Sequence, residues 1–134
     1  MFEEVELRLR SSISAHNCSG YEINFSVKAG RPYCQIGFWN GPLGDFSPPI
    51  DERAVGVRNG DTVKATAIGN VITAYINGRR IFSVTNSRFS EGSPGIGFYL
   101  YGGDGPPANF GFTNFTATGL IMPPTSTPTP TPTP

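Results

Sequence analysis

Apolar and polar residues alternate with a period of two along most of the chain, a pattern that predicts strands. In Glu4–Arg10, Val5, Leu7 and Leu9 fall on one face, and Glu4, Glu6, Arg8 and Arg10 on the other. In Tyr21–Lys28, Tyr21, Ile23, Phe25 and Val27 oppose Glu22, Asn24, Ser26 and Lys28. Ala29-Gly30-Arg31-Pro32 reads as a turn, and Tyr33–Trp39 returns with Cys34, Ile36 and Phe38 on one face. Tyr33, Gln35, Gly37 and Trp39 occupy the other face. A long connection follows, from Asn40 to Asn59, rich in glycine and proline.

Further strands are expected at Thr62–Ala67, Val71–Ile76, Arg80–Val84, Gly95–Tyr101 and Asn109–Thr118. Gly69-Asn70 and Asn77-Gly78 are turns between them. Asn77-Gly78 is the strongest hairpin signal, because a type I′ turn needs positive φ at both central positions. No segment has a helical period; Arg88–Gly92 could form one turn at most. About eight short strands without helices predict an all-β fold, an antiparallel β-sandwich of jelly-roll type.

The prolines divide the chain. Six of the 13 lie in the last twelve residues, Pro123 to Pro134. Residues 1–121 then form the domain and 122–134 an extended Thr/Pro-rich linker or tail. Alternate prolines fix φ and remove every second donor, so neither helix nor ladder forms there. In polyproline II such a segment spans roughly 35–40 Å. Its hydroxyls could carry O-linked sugars.

Net charge is zero, with ten basic and ten acidic residues. No field of one sign is present to recruit nucleic acid or an anionic membrane, and no apolar run reaches the ~20 residues of a membrane-spanning helix. The first residues, Met1 to Val5, have no basic and apolar leader pattern. Low charge, 16 aromatics (ten Phe, five Tyr, one Trp) and 17 glycines suit an extracellular β-protein. Secretion or the cell surface is therefore the expected location.

Gly60-Asp61-Thr62-Val63-Lys64-Ala65, followed by Gly69-Asn70-Val71-Ile72-Thr73-Ala74-Tyr75-Ile76-Asn77-Gly78, resembles the late hairpin of concanavalin A-like lectin/glucanase domains, laminin-G-like modules included. Ser93-Pro94-Gly95-Ile96-Gly97-Phe98-Tyr99 and Phe110-Gly111-Phe112-Thr113-Asn114-Phe115 are similar to the strands after it. The resemblance covers roughly residues 3–120. It implies a lectin-like sandwich, and the family's functions range from sugar binding to glycan hydrolysis and adhesion. Such domains usually run longer, with strands before the segment that begins here. A missing strand would leave an open sheet edge, so self-association is expected.

The aromatics make the sugar-binding expectation concrete. Aromatic faces stack on pyranose rings, and amides and carboxylates bond their hydroxyls. Tyr33, Gln35 and Trp39 share a face, and Trp39 leads into Asn40 and the loop to Phe46. Tyr99 and Tyr101 share a face in another strand, which Tyr75 could join. A platform of Tyr33, Trp39 and Tyr99 would bind a polysaccharide or glycan; the alternative is that these rings simply cover a sheet. The domain is then read as a non-catalytic carbohydrate-binding module of a multidomain protein. The alternatives are a structural, adhesive or self-assembling surface domain and, less favoured, a glycanase.

No catalytic residue is expected. Glycanases of this fold place acids at alternate positions of one strand, but Arg8 and Arg10 follow Glu4 and Glu6. Glu4 and Glu6 read as part of a solvated charged face. The single histidine, His16, reads as a surface loop residue, and two cysteines with one histidine do not make a zinc site. Cys18 and Cys34 either form a disulfide or pack as separate small residues. No cofactor is required. Calcium could use Asp104 or Asp45, but a turn role suits each aspartate better. Sequons at Asn17, Asn24 and Asn114 are common chance matches in such a composition.

Overall fold

A computed structural model describes residues 2–102 and 110–119. Among these are eight strands and no helix. They are β1 (Phe2–Ser14), β2 (Asn17–Ser26), β3 (Cys34–Pro42), β4 (Asp51–Arg53), β5 (Val63–Ile68), β6 (Val71–Ile76), β7 (Arg79–Thr85) and β8 (Ser93–Tyr101). Five pair in the order β4-β3-β2-β1-β8, and three in the order β5-β6-β7. Every pairing is antiparallel. The fold is the antiparallel β-sandwich that the alternation predicts.

The two apolar faces meet to form the core. The large sheet contributes Val5, Leu7, Tyr21, Ile23, Phe25, Cys34 and Ile36; the small one contributes Ile72, Ala74, Ile76, Phe82 and Val84. These are the alternate positions of each strand, as the pleat requires. Burying such a side chain fully contributes about 1.5–3 kcal/mol. The one polar tip at this layer, Tyr21, donates to the Asn86 carbonyl at 2.9 Å or its Oδ1 at 2.8 Å, and accepts from the Phe89 amide at 3.2 Å.

Local chemistry explains the turns. Asn77 and Gly78 have φ of 51° and 76°, the positive pair that a type I′ hairpin demands. The β2–β3 hairpin places Phe25 opposite Cys34, the register expected from a turn at Ala29-Gly30. That register also decides the disulfide. Cys18 pairs with Gly41 at the far end of the same ladder, seven residues from Phe25 and hence roughly 23 Å away. Disulfide geometry tolerates ~4.4–6.8 Å between Cα atoms. Both thiols are free, Cys34 in the core and Cys18 on the opposite face.

Other departures are local. β1 runs beyond Arg10 because a bulge shifts its register between Leu9 and Ser12. β4, lying within the expected long connection, pairs its three residues with Cys34–Ile36. The expected final strand does not form among residues 110–119; Phe110 and Phe112 instead pack against the core, with Phe98 6.4 and 5.6 Å away. Asp104 and the Thr/Pro segment lie outside the described residues.

Candidate functional site

The five-stranded sheet turns one face to the core and the other away from it. Strand register fixes what the second face carries. Glu4, Glu6 and Arg8 of β1 stand opposite Ser26, Asn24 and Glu22 of β2. Asn24 and Glu22 in turn face Gln35 and Gly37 of β3, with Trp39 opposite Gly20. On the other side, Tyr99, Gly97 and Gly95 of β8 pair with Glu4, Glu6 and Arg8. Three acids, one base and two amides therefore converge on adjacent strands.

This face is not the solvated charged surface expected for Glu4 and Glu6. Glu4, Glu6 and Glu22 are 5%, 4% and 3% exposed, and Asn24 is 2% exposed. The cause lies in the neighbours. Gly97 has no side chain, and a Cβ there would collide with Glu6 Oε2, so the glycine lets Glu6 lie flat. The Phe46 ring sits over Gly37, within 2.7 Å of where a Cβ would be, and stacks at 5.2 Å from Trp39. Phe2 packs between Tyr33 and Tyr99, at 6.0 and 6.5 Å, beneath the Arg31 guanidinium at 4.1 Å.

Each acid has an assigned donor. Arg8 Nη2 donates to Oε2 of Glu6 at 2.8 Å and makes an ion pair with Oε2 of Glu22 at 2.7 Å. Trp39 Nε1 donates to Glu22 Oε2 at 2.6 Å. The Tyr33 hydroxyl donates to Glu4 Oε2. Arg8 Nη1 also reaches Cys18 Sγ at 3.2 Å. One guanidinium does not balance three carboxylates in a dry setting. Burial, with Glu22 nearby, holds the Glu4 carboxyl up at about 7, against the lowering effect of Tyr33. Burial and the charges of Glu22 and Glu4 push Glu6 to about 8, although Arg8 opposes them. Burial and the Glu4 bond also raise the Tyr33 hydroxyl above its usual range.

The residues expected to bind sugar divide between this floor and its rim. Tyr33 is buried, so it cannot stack on a ring, and the platform of Tyr33, Trp39 and Tyr99 is not formed as drawn. Trp39, Gln35 and Asn40 are half-buried, whereas Tyr99 and Tyr101 are exposed at 45% and 63%. Tyr75 lies on β6 of the other sheet under Lys64, 4.1 Å from its ring centre, and does not join them. Gln35 donates to Glu52 at 2.9 Å. Asn40 donates to Asp45 Oδ1 at 2.9 Å, and the Asp45 amide donates to the Pro42 carbonyl at 3.0 Å. Asp45 is thus an exposed turn residue. His16 is exposed at the β1–β2 turn.

Glu22, Arg8 and Asn24 are the members that strand-by-strand reading missed. No single strand carries an acidic triplet; it is assembled across β1 and β2. Pairing the polar faces of Glu4–Arg10 and Tyr21–Lys28 as an antiparallel hairpin would have placed them together. Chemically, the cluster can hold protons, bond hydroxyls or bind a cation. Its three ligand oxygens lie within 4.8 Å of one another, near the ~5–5.5 Å carboxyl separation of retaining glycosidases. All three carboxylates are nearly fully buried, and Arg8 bonds Glu6 and Glu22. No protein-family model, curated protein or solved structure matches the chain.

Proposed function

We propose that this domain is a non-catalytic glycan-binding module, carried on a secreted or cell-surface multidomain protein. The observation that carries the reading is the polar face itself. Trp39 is half-buried at its rim with its indole held by Glu22, and Tyr99 and Tyr101 stand exposed across the sheet. Gln35 lies on the same face of β3 as Trp39, four residues away, and Asn40 follows Trp39 in the chain. Rings held rigidly beside amides are what pyranose recognition requires. The buried carboxylates act as a scaffold that fixes the Trp39 ring. The Thr-Pro segment supports a role as a module held away from a neighbour.

Affinity electrophoresis on a panel of plant and microbial polysaccharides, with reducing ends assayed in parallel, tests the reading. A glycan that retards the wild-type chain is expected to lose at least tenfold in affinity with Trp39→Ala, and less with Tyr99→Ala, without release of reducing ends. Retardation unchanged in a folded Trp39→Ala variant sinks it. Reducing ends released by wild type and lost in Glu22→Gln would make the domain a glycanase.

A second reading, a self-assembling surface domain, is favoured by one feature. β8 is an edge strand of nine residues with no partner on its outer side among the described residues.

A further inference from the structure

Asn24 Oδ1 is the one side-chain oxygen or nitrogen among the described residues that is fully buried without a hydrogen-bond partner. Buried acceptors are ordinarily satisfied, because an orphan costs about 1–3 kcal/mol. This one stands directly opposite Glu6 and two residues from Glu22, on the same face of the sheet. An unmet amide oxygen thus stands on the sheet face that carries three carboxylates and one guanidinium.

We propose that Glu4, Glu6, Glu22 and Asn24 form a binding site for one divalent cation of calcium size. Three lines of chemistry converge on it. The donor set is entirely oxygen, which suits a hard cation and not zinc or copper. Buried charges are paired or coordinate metals; Arg8 pairs with two of the three carboxylates, and the ionised cluster carries three negative charges against one positive. A divalent ion supplies the missing two positive charges. Finally, the spread fits: opposite ligands of Ca2+ lie roughly 4.6–5.2 Å apart and those of Mg2+ roughly 4.0–4.2 Å, twice their bond lengths. The three oxygens here lie within 4.8 Å of one another.

The remaining contacts leave room for this role. Arg8, Trp39 and Tyr33 all bond the Oε2 atoms. No Oε1 atom of Glu4, Glu6 or Glu22 accepts a hydrogen bond from the described residues. The site is distinct from the turn acid Asp45, which is committed to Asn40.

The test uses the full chain after EDTA treatment. Tb3+, a luminescent stand-in for Ca2+, is titrated with excitation of the aromatic rings, because Trp39 and Tyr33 touch the proposed ligands. Calorimetry with Ca2+ and with Mg2+ runs alongside. Sensitised emission that saturates at one ion per chain and is displaced by Ca2+ ahead of Mg2+ is expected, with a Kd on the order of 10⁻⁴–10⁻³ M. Glu22→Gln is expected to weaken binding at least tenfold and Asn24→Ala several-fold, whereas Asp45→Asn leaves it unchanged. Neither emission nor heat from the wild-type chain up to about 10 mM Ca2+, roughly tenfold above the Kd of the weakest extracellular modules, overturns the proposal. Binding lost in Asp45→Asn, or retained in a folded Glu22→Gln chain, also overturns it. The wild-type titration decides the matter even if a variant does not fold. No sugar enters the measurement, so its failure leaves the glycan reading standing.

Discussion

Glu6 shows how far a side chain can depart from its surface reading. Between Glu4 and Arg8 on an alternating polar face it reads as a solvated acid, yet it is buried against Arg8, Glu22 and Gly97. Glu4 and Glu6 consequently keep their protons in the folded chain to about pH 7 and 8, whereas in the unfolded chain both ionise near 4.5. Between these limits the unfolded state binds fewer protons than the native state, so stability falls as pH rises. It is fully present below about pH 4.5 and lost as pH climbs through 7 and 8. Thermal melts of the metal-free chain are expected to show a Tm lower by roughly 5 °C or more at pH 8 than at pH 5. Glu6→Gln removes most of that slope. A flat Tm across this range would mean that the cluster is more solvated than its burial indicates.

Alternation places Val5, Tyr21, Ile23, Phe25 and Ile36 in the core without help from tertiary context, because a strand's two faces are fixed by its pleat. The bulge in β1 is a different matter. Arg10 sits at φ 51°, and the ladder to both neighbours shifts beside it. Two glycines on flanking segments make the kink fit. A Cβ on Gly20 or Gly92 would come within 2.6 or 2.7 Å of the Arg10 carbonyl oxygen, and both have positive φ, 119° and 134°. Gly20→Ala therefore combines backbone strain with a clash against main chain that cannot swing aside. It is expected to destabilise by about 2–4 kcal/mol, read as a shift in denaturant midpoint with unchanged slope. A loss under about 0.5 kcal/mol would show that the bulge relaxes freely. The sequence shows these glycines, but their purpose appears only once three segments lie side by side.

At the scale of the whole molecule, the two sheets are unequal. Three strands cannot cover five, and the shortfall falls on β8. Ile96 and Phe98, on the face that Leu7 and Val5 turn to the core, remain 39% and 48% exposed. An edge strand with exposed apolar residues is a template for pairing. The chain is accordingly expected to dimerise at high micromolar concentration, and Phe98→Lys to hold it monomeric. Sedimentation velocity from micromolar to millimolar reads this directly; a wild-type monomer throughout rejects the self-assembling reading.

Sequence alone determined seven of the eight strands, the hairpin at Asn77-Gly78, the β2–β3 register and most of the core, because period-two alternation and turn chemistry are local. It also put Trp39 on the face opposite Cys34, Ile36 and Phe38, and Tyr99 with Tyr101 on one face of their strand. Only tertiary structure decided that Tyr33 is buried against Phe2 and that residues 110–119 form no strand. Only the pairing of β1 with β2 and β8 could bring Glu4, Glu6 and Glu22 into one dry cluster. Burial of a charge depends on what covers it, and here the cover comes from β3, β8 and Phe46, residues far away along the chain.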